Sequence, residues 1–211
     1  MSVPRDRKTI ALAITGASGS PYALRLLECL IEAQAHIYVM VSQPGRMVIS
    51  MESDLKLPSR PAEMQRFLAA RFHAVEGQLE VFGREQWTAP VASGSGAPDA
   101  VVICPCTTGT LAAVACGASR SLLERAADVA LKERKQLILV VRETPLSEIH
   151  LENMLKLSRM GAVIMPANPG FYYRPQGIND LVDFIVARIL DHLNIAHQLL
   201  PRWGMDACTD A

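Results

Sequence analysis

The sequence predicts a single α/β domain in which a parallel sheet is covered by helices on both faces. Three observations carry this. Continuous apolar runs such as Ile10-Ala11-Leu12-Ala13-Ile14 and Ala100-Val101-Val102-Ile103 have the length of strands buried on both sides. Amphipathic stretches of helical period alternate with them, as the crossovers between parallel strands require. A chain of 211 residues, 50% hydrophobic, can bury one sizeable core without demanding a second. Residues 9–204 are assigned to this domain, between a flexible lead at 1–8 and a loose tail at 205–211.

Charge and cysteine usage narrow the function classes. With 21 basic and 21 acidic side chains the formal charge is zero, so there is no electrostatic footprint for nucleic acid or an anionic membrane. Cys29, Cys104, Cys106, Cys116 and Cys208 are odd in number and mostly in apolar surroundings, which fits reduced thiols in a cytoplasmic protein better than a disulfide framework. Arg5, Arg7 and Lys8 precede apolar residues as in a signal peptide, but the run is too short for one and reads as the first strand. No stretch reaches the length of a membrane span.

The first strand, 10–14, runs into Thr15-Gly16-Ala17-Ser18-Gly19-Ser20-Pro21 and then a helix over 21–34. Gly16 and Gly19 allow a sharp turn, Ser18 or Ser20 can cap the helix, and Pro21 suits its first turn. The Gly-x-x-Gly spacing serves strand-to-helix geometry alone or an electron-rich ligand at the helix N-terminus. The second strand is 36–41; Ser42 follows it, either capping a helix over 46–51 or helping to hold an anion. Between 52 and 96 the pattern loosens, with a helix at 62–72 and a strand at 79–82. The Ser/Gly stretch 90–98 is a surface connection, or small residues that allow contact with a flat ring.

The strand at 100–103 is followed by Cys104-Pro105-Cys106-Thr107-Thr108-Gly109-Thr110 and a helix over 111–116. Three threonine hydroxyls at a helix start favour phosphate over simple capping. The one-residue spacing of Cys104 and Cys106 does not suit structural zinc. A helix at 122–135 carries Arg125, Asp128 and Lys132 on one face, usually a solvated ion-pair row. The strand 136–141 ends in Arg142-Glu143-Thr144-Pro145, charged residues where a crevice opens. A helix at 146–160, a strand at 162–165, a proline-stiffened loop at 166–175 and a closing helix at 178–195 complete the domain. The marked loops all fall at strand carboxyl ends, which points to a phosphate-bearing, aromatic ligand there.

From Thr9 to Gly204 the chain resembles the UbiX-type flavin prenyltransferases. The resemblance rests on Thr15-Gly16-Ala17-Ser18-Gly19, Cys104-Pro105-Cys106, the segment Glu124-Arg125-Ala126-Ala127-Asp128 continuing to Arg134, Arg142-Glu143-Thr144-Pro145-Leu146, Gly161 to Pro166, Phe171-Tyr172 and Arg202-Trp203. It implies a Rossmann-like, flavodoxin-like fold that binds FMN and joins a dimethylallyl group from dimethylallyl phosphate to N5 and C6 of reduced FMN. The prenylated FMN would serve a UbiD-type decarboxylase. By motif, Gly16, Ala17, Ser18, Ser42, Thr107, Thr108, Gly109, Thr110 and Arg125 would hold the flavin. Lys132, Arg142, Glu143, Tyr172 and Arg188, drawn from neighbouring subunits, would hold the prenyl phosphate. Trp87 and Trp203 would wall the prenyl group, and Ser18 and Glu52 would lie near N5, so that Ser18, Glu52 and Glu143 are the catalytic candidates. Cations and aromatic faces would replace any metal ion. Such proteins form dodecamers, so a homo-oligomer is expected.

Two competing functions are a flavin-dependent cysteine decarboxylase and a non-catalytic FMN carrier. The first carries an Asn-rich motif with a Met-Trp end after the last strand, where this chain has Pro169-Gly170-Phe171-Tyr172-Tyr173-Arg174. The second leaves Lys132, Glu143 and Arg188 without a purpose.

Overall fold

The computed structural model describes residues 7–201. Six strands form one all-parallel sheet: β1 (Thr9–Ile14), β2 (His36–Val41), β3 (Leu79–Phe82), β4 (Ala100–Cys106), β5 (Gln136–Val141) and β6 (Val163–Ile164). Their order is β3-β2-β1-β4-β5-β6, the doubly wound Rossmann-like arrangement expected. The chain first winds outward from β1 through β2 to β3, then returns to lay β4 on the other side of β1. That reversal leaves a crevice beyond the carboxyl ends of β1 and β4.

Side-chain alternation explains why these runs are apolar throughout. Ile10, Leu12, Val102, Cys104, Ile138 and Val140 pack on one face under α1 (Ser20–Glu32), α3 (Pro61–Phe72) and α7 (Ile178–His192). Ala11, Ala13, Val101, Ile103, Leu137 and Leu139 pack on the other under α4 (Thr108–Ala115), α5 (Leu122–Lys132) and α6 (Glu148–Arg159). A strand residue on either face is therefore buried, and no polar alternation survives. The remaining helix, α2 (Gln43–Glu52), follows β2 directly.

Several boundaries differ from the sequence reading. β4 runs through Cys104-Pro105-Cys106, where the sequence predicts a loop. Proline removes a ladder donor, and the register with β5 shifts between Ile103 and Cys106 to accommodate it. α4 begins at Thr108 rather than at 111, because the Thr107 hydroxyl caps it through Thr110 N at 3.0 Å. α5 stops at Lys132, and Arg134 beyond it takes the left-handed conformation. Two 3-10 turns order residues 90–96. Of the expected lead, Lys8 is anchored, donating from Nζ to Leu193 O at 2.6 Å. The tail from 202 on, including Trp203, lies outside the described residues. Among those described, no helix is long and apolar enough to cross a membrane.

Candidate active site

A cavity of about 570 Å³ opens at the crevice beyond β1 and β4, within the roughly 300–1,000 Å³ typical of small-molecule sites. Four helices start on its wall: α2 at Ser42 to Pro44, α3 at Pro61, α4 at Thr107 and Thr110, and α5 at Ser121 to Glu124. Their unpaired amides and dipoles favour an anion. Met40, Val81, Phe82, Leu122 and Leu123 supply apolar wall, so the cavity combines helix starts suited to an anion with a dry surface.

Two close approaches shape the seat. A Cβ built on Gly16 would lie 2.4 Å from Pro44 Cβ, so only glycine lets the loops after β1 and β2 meet. Thr15, 3% exposed, ties the loops after β1 and β4 together. Its hydroxyl donates to Pro105 O at 2.6 Å and accepts from Thr107 N at 2.9 Å. Cys104 and Cys106 lie behind this contact, fully buried; burial pushes the Cys106 thiol up to about 12 and moves Cys104 the same way.

The Gly-x-x-Gly turn behaves differently from its sequence reading. The N-cap of α1 is Gly19, with no side-chain cap from Ser18 or Ser20. Glu52, from the end of α2, takes that role: its carboxylate accepts from Gly19 N at 3.0 Å and Ser20 N at 2.8 Å. The helix start that looked free for a ligand therefore already holds an anion belonging to the protein. Burial alone would raise the Glu52 carboxyl, but the Ser18 hydroxyl and the two amides outweigh it and hold it below its ordinary 4.5.

Beside the cavity these residues form a cluster with the loop after β5. Arg142 Nε donates to Ser18 O at 3.1 Å. Glu143 faces the first turn of α4, its Oε2 lying 3.5 Å from the Thr108 hydroxyl, and its Oε1 accepts from Thr144 N at 3.1 Å. Ser18, Glu52, Thr108, Arg142 and Glu143 thus stand together at one sheet edge, although they come from four separate loops and helix ends.

The other expected residues lie elsewhere within one chain. Arg125 is absent from the cavity lining; it donates to Ala92 O at 3.1 Å and pairs with Asp128 at 2.7 Å. Ser42 caps α2 through Gly45 N at 3.0 Å while also lining the cavity. Lys132 pairs with Glu133 beside Gly94, at the end of α5 just before β5 begins. Arg188 pairs with Asp191 at 2.8 Å and lines a smaller hollow of about 270 Å³ between β6 and α7. Tyr172, 56% exposed, packs edge-on against Phe184 of α7, and Trp87 is 48% exposed. Sequence reasoning did not single out Thr15, Arg46 or Arg84, which the structure places on the cavity wall. A threonine between a buried strand and a Gly turn was the available signal for the first, since such hydroxyls bond nearby backbone.

The profile of the Flavoprotein family matches residues 2–190. The flavin prenyltransferase UbiX of Pseudomonas aeruginosa is 58% identical over 195 residues, covering 92% of this chain and 93% of the relative. The chain belongs to the UbiX flavin prenyltransferase family. This makes it a flavoprotein of the alkyl-transferring class. UbiX of Methanocaldococcus jannaschii is 42% identical, covering 92% of this chain and 98% of the relative. The crystal structure of AnUbiX (PadA1) in complex with FMN and dimethylallyl pyrophosphate superposes with TM-score 0.83 at 38% identity, covering 93% of this chain and 97% of that one. A dodecameric FMN-dependent UbiX-like decarboxylase from Escherichia coli O157:H7 gives TM-score 0.82 at 36% identity, covering 92% and 98%. The cysteine decarboxylase TvaF shares the fold alone, at 18% identity and TM-score 0.55, covering 74% of this chain and 88% of that one.

Proposed function

We propose that this UbiX-family protein joins a dimethylallyl group from dimethylallyl phosphate to N5 and C6 of reduced FMN, and that the product serves a UbiD-type decarboxylase. The observation that carries the reading is the cluster of Ser18, Glu52, Arg142 and Glu143 beside a cavity walled by helix starts. The cavity fits FMN in volume, in its apolar wall and in its amide-rich floor. Ser42, Thr107 and Thr110 would hold the phosphate end, and the ring would lie toward Ser18 and Glu52. When bound, reduced FMN supplies an electron-rich N5 and ring carbon.

The chain's own residues supply the rest. Arg142, Lys132 and Arg188 bind the phosphate that leaves with the C–O electron pair, lowering the cost of separating charge. Glu143 keeps the cations aligned and accepts a hydrogen bond from a protonated phosphate oxygen. The retained phosphate then moves the proton needed for ring closure, so no histidine is required. Ser18, held by Glu52, positions a hydroxyl at the flavin edge.

The sheet geometry supports a shared site. β5 has six residues, so at about 3.3 Å per residue roughly 20 Å separates Lys132, before its start, from Arg142 at its end. Lys132 therefore reaches a prenyl phosphate only in another copy. Exposed Ile149, Leu151 and Leu155 on α6, with Phe171 and Ile178, offer apolar surface for such an assembly.

The test is anaerobic incubation with reduced FMN and dimethylallyl phosphate, followed by mass analysis of extracted flavin. A gain of one dimethylallyl unit is expected. Unchanged flavin released to a partner would establish a carrier, and oxidative loss of carbon dioxide from a cysteinyl peptide would establish a decarboxylase.

A further inference from the structure

The residues expected to hold FMN provide hydroxyls, amides and a single cation, Arg125, which is committed to Asp128 and Ala92 outside the cavity. A phosphate monoester brings about 1.5 to 2 negative charges near neutral pH. Of the four helix starts on the wall, α3 and α5 each carry a glutamate in the first turn, Glu63 and Glu124, which leaves α2 and α4 to offer about half a positive charge each; α1 is already answered by Glu52. That set leaves the phosphate short of countercharge in a partly enclosed site, where desolvation is costly.

Two further arginines line the same cavity. Arg46 is partly buried in the first turn of α2, one turn beyond Ser42, and its amide bonds Ser42 O at 3.0 Å. Arg84 lies in the loop after β3, which is fixed against the start of α5 because Leu122 N donates to Arg84 O at 2.8 Å. Neither side chain makes an ion pair or hydrogen bond with another described residue, whereas Arg25, Arg60, Arg125 and Arg188 are all paired with carboxylates. Glu124 also lines the cavity, but its Oε2 is engaged by Arg120 N at 2.6 Å.

We infer that Arg46 and Arg84 bind the flavin phosphate and make the site selective for FMN over riboflavin. The inference rests on the FMN reading above and adds the charge that reading lacks. Guanidinium forks suit phosphate oxygens better than an ammonium does, and both residues line the cavity that Thr107 and Thr110 also line.

The experiment titrates FMN and riboflavin into the full-length protein, read by flavin fluorescence at low and high salt, for wild type, Arg46→Gln, Arg84→Gln and Arg46→Lys. Each glutamine variant should weaken FMN about tenfold, leave riboflavin within about twofold and flatten the salt dependence of FMN binding. Arg46→Lys should keep part of the preference for FMN. Equal weakening of both flavins, or no change in either, would overturn the assignment. A wild-type protein that binds neither flavin would instead bring down the FMN reading on which it rests.

Discussion

The carboxyl edge of the sheet and its amino edge are organised on different terms. At the carboxyl edge, Thr15 staples two loops, Glu52 holds the start of α1, Arg142 reaches Ser18 and four helix starts face one cavity. At the amino edge, Lys132 sits partly exposed beside Gly94, Lys135 pairs loosely with Asp99 at 3.9 Å, and Lys8 closes on the end of α7. One edge gathers its proposed ligand site within a single chain. The other presents a cation, Lys132, whose proposed anion lies in a neighbouring copy.

The sharpest way to break this contrast is Lys132→Ala. Prenylation should fall about 100- to 1,000-fold, the effect of removing one charge-stabilising donor, while FMN affinity stays within about twofold of wild type because Lys132 does not line the cavity. Coexpression with Glu143→Gln should restore activity at about a quarter of sites, since random mixing reunites intact partners across an interface. An active monomer by light scattering, or no rescue in the mixed oligomers, would remove the neighbour from the site.

Gly16→Ala attacks the other edge. Its Cβ would collide with Pro44, a ring that cannot swing away, so the two loops must separate. The displacement should cost about 1–3 kcal/mol of stability and about 100-fold in prenylation, with loss of bound FMN visible in the absorbance of the purified protein.

Glu52→Gln separates binding from helix support. Loss of the charged cap should cost about 1 kcal/mol. The Glu52 carboxyl is held below 4.5 in the folded protein, so its contribution is fully present above about pH 4.5 and disappears as pH falls through the lower folded value. Melting curves of wild type and variant should therefore run apart at neutral pH and converge in acid. A constant separation down to pH 3 would deny Glu52 its charge-dependent role.

Thr110→Val is the mildest probe. It removes one hydroxyl from the proposed phosphate seat and the partner of the Thr107 hydroxyl at 2.9 Å. FMN should weaken by about 1 kcal/mol, or five- to tenfold, by equilibrium titration. Unchanged affinity would place the phosphate farther out, toward Arg46 and Arg84.

Much of the fold was legible because both-face burial writes itself into continuous apolar runs. β2, β3 and β5 have the bounds the sequence suggested, and Ser42 caps α2 as one of its two readings allowed. What escaped was long-range or locally contradictory. Pro105 argues against a strand interior, yet the shifted register absorbs it. Thr108-Gly109-Thr110 are poor helix formers, yet the Thr107 cap starts α4 before them. Glu52 meets Gly19 across more than thirty residues, and no local pattern encodes that meeting. Arg125 belonged to a recognisable segment, but a motif fixes its place on a helix and not the direction in which its guanidinium points.

The two thiols flanking Pro105 carry a consequence for the chemistry next door. They flank the proline whose carbonyl accepts from Thr15 beside the proposed flavin site, sealed from solvent, and burial raises both thiols and so favours their S–H form. A reduced flavin generates peroxide when it meets oxygen, and thiolates are the side chains such species consume first. With this sulfur protonated and inaccessible, peroxide formed when oxygen takes electrons from a bound reduced flavin would escape to solvent before it met a thiolate in the wall of the proposed site.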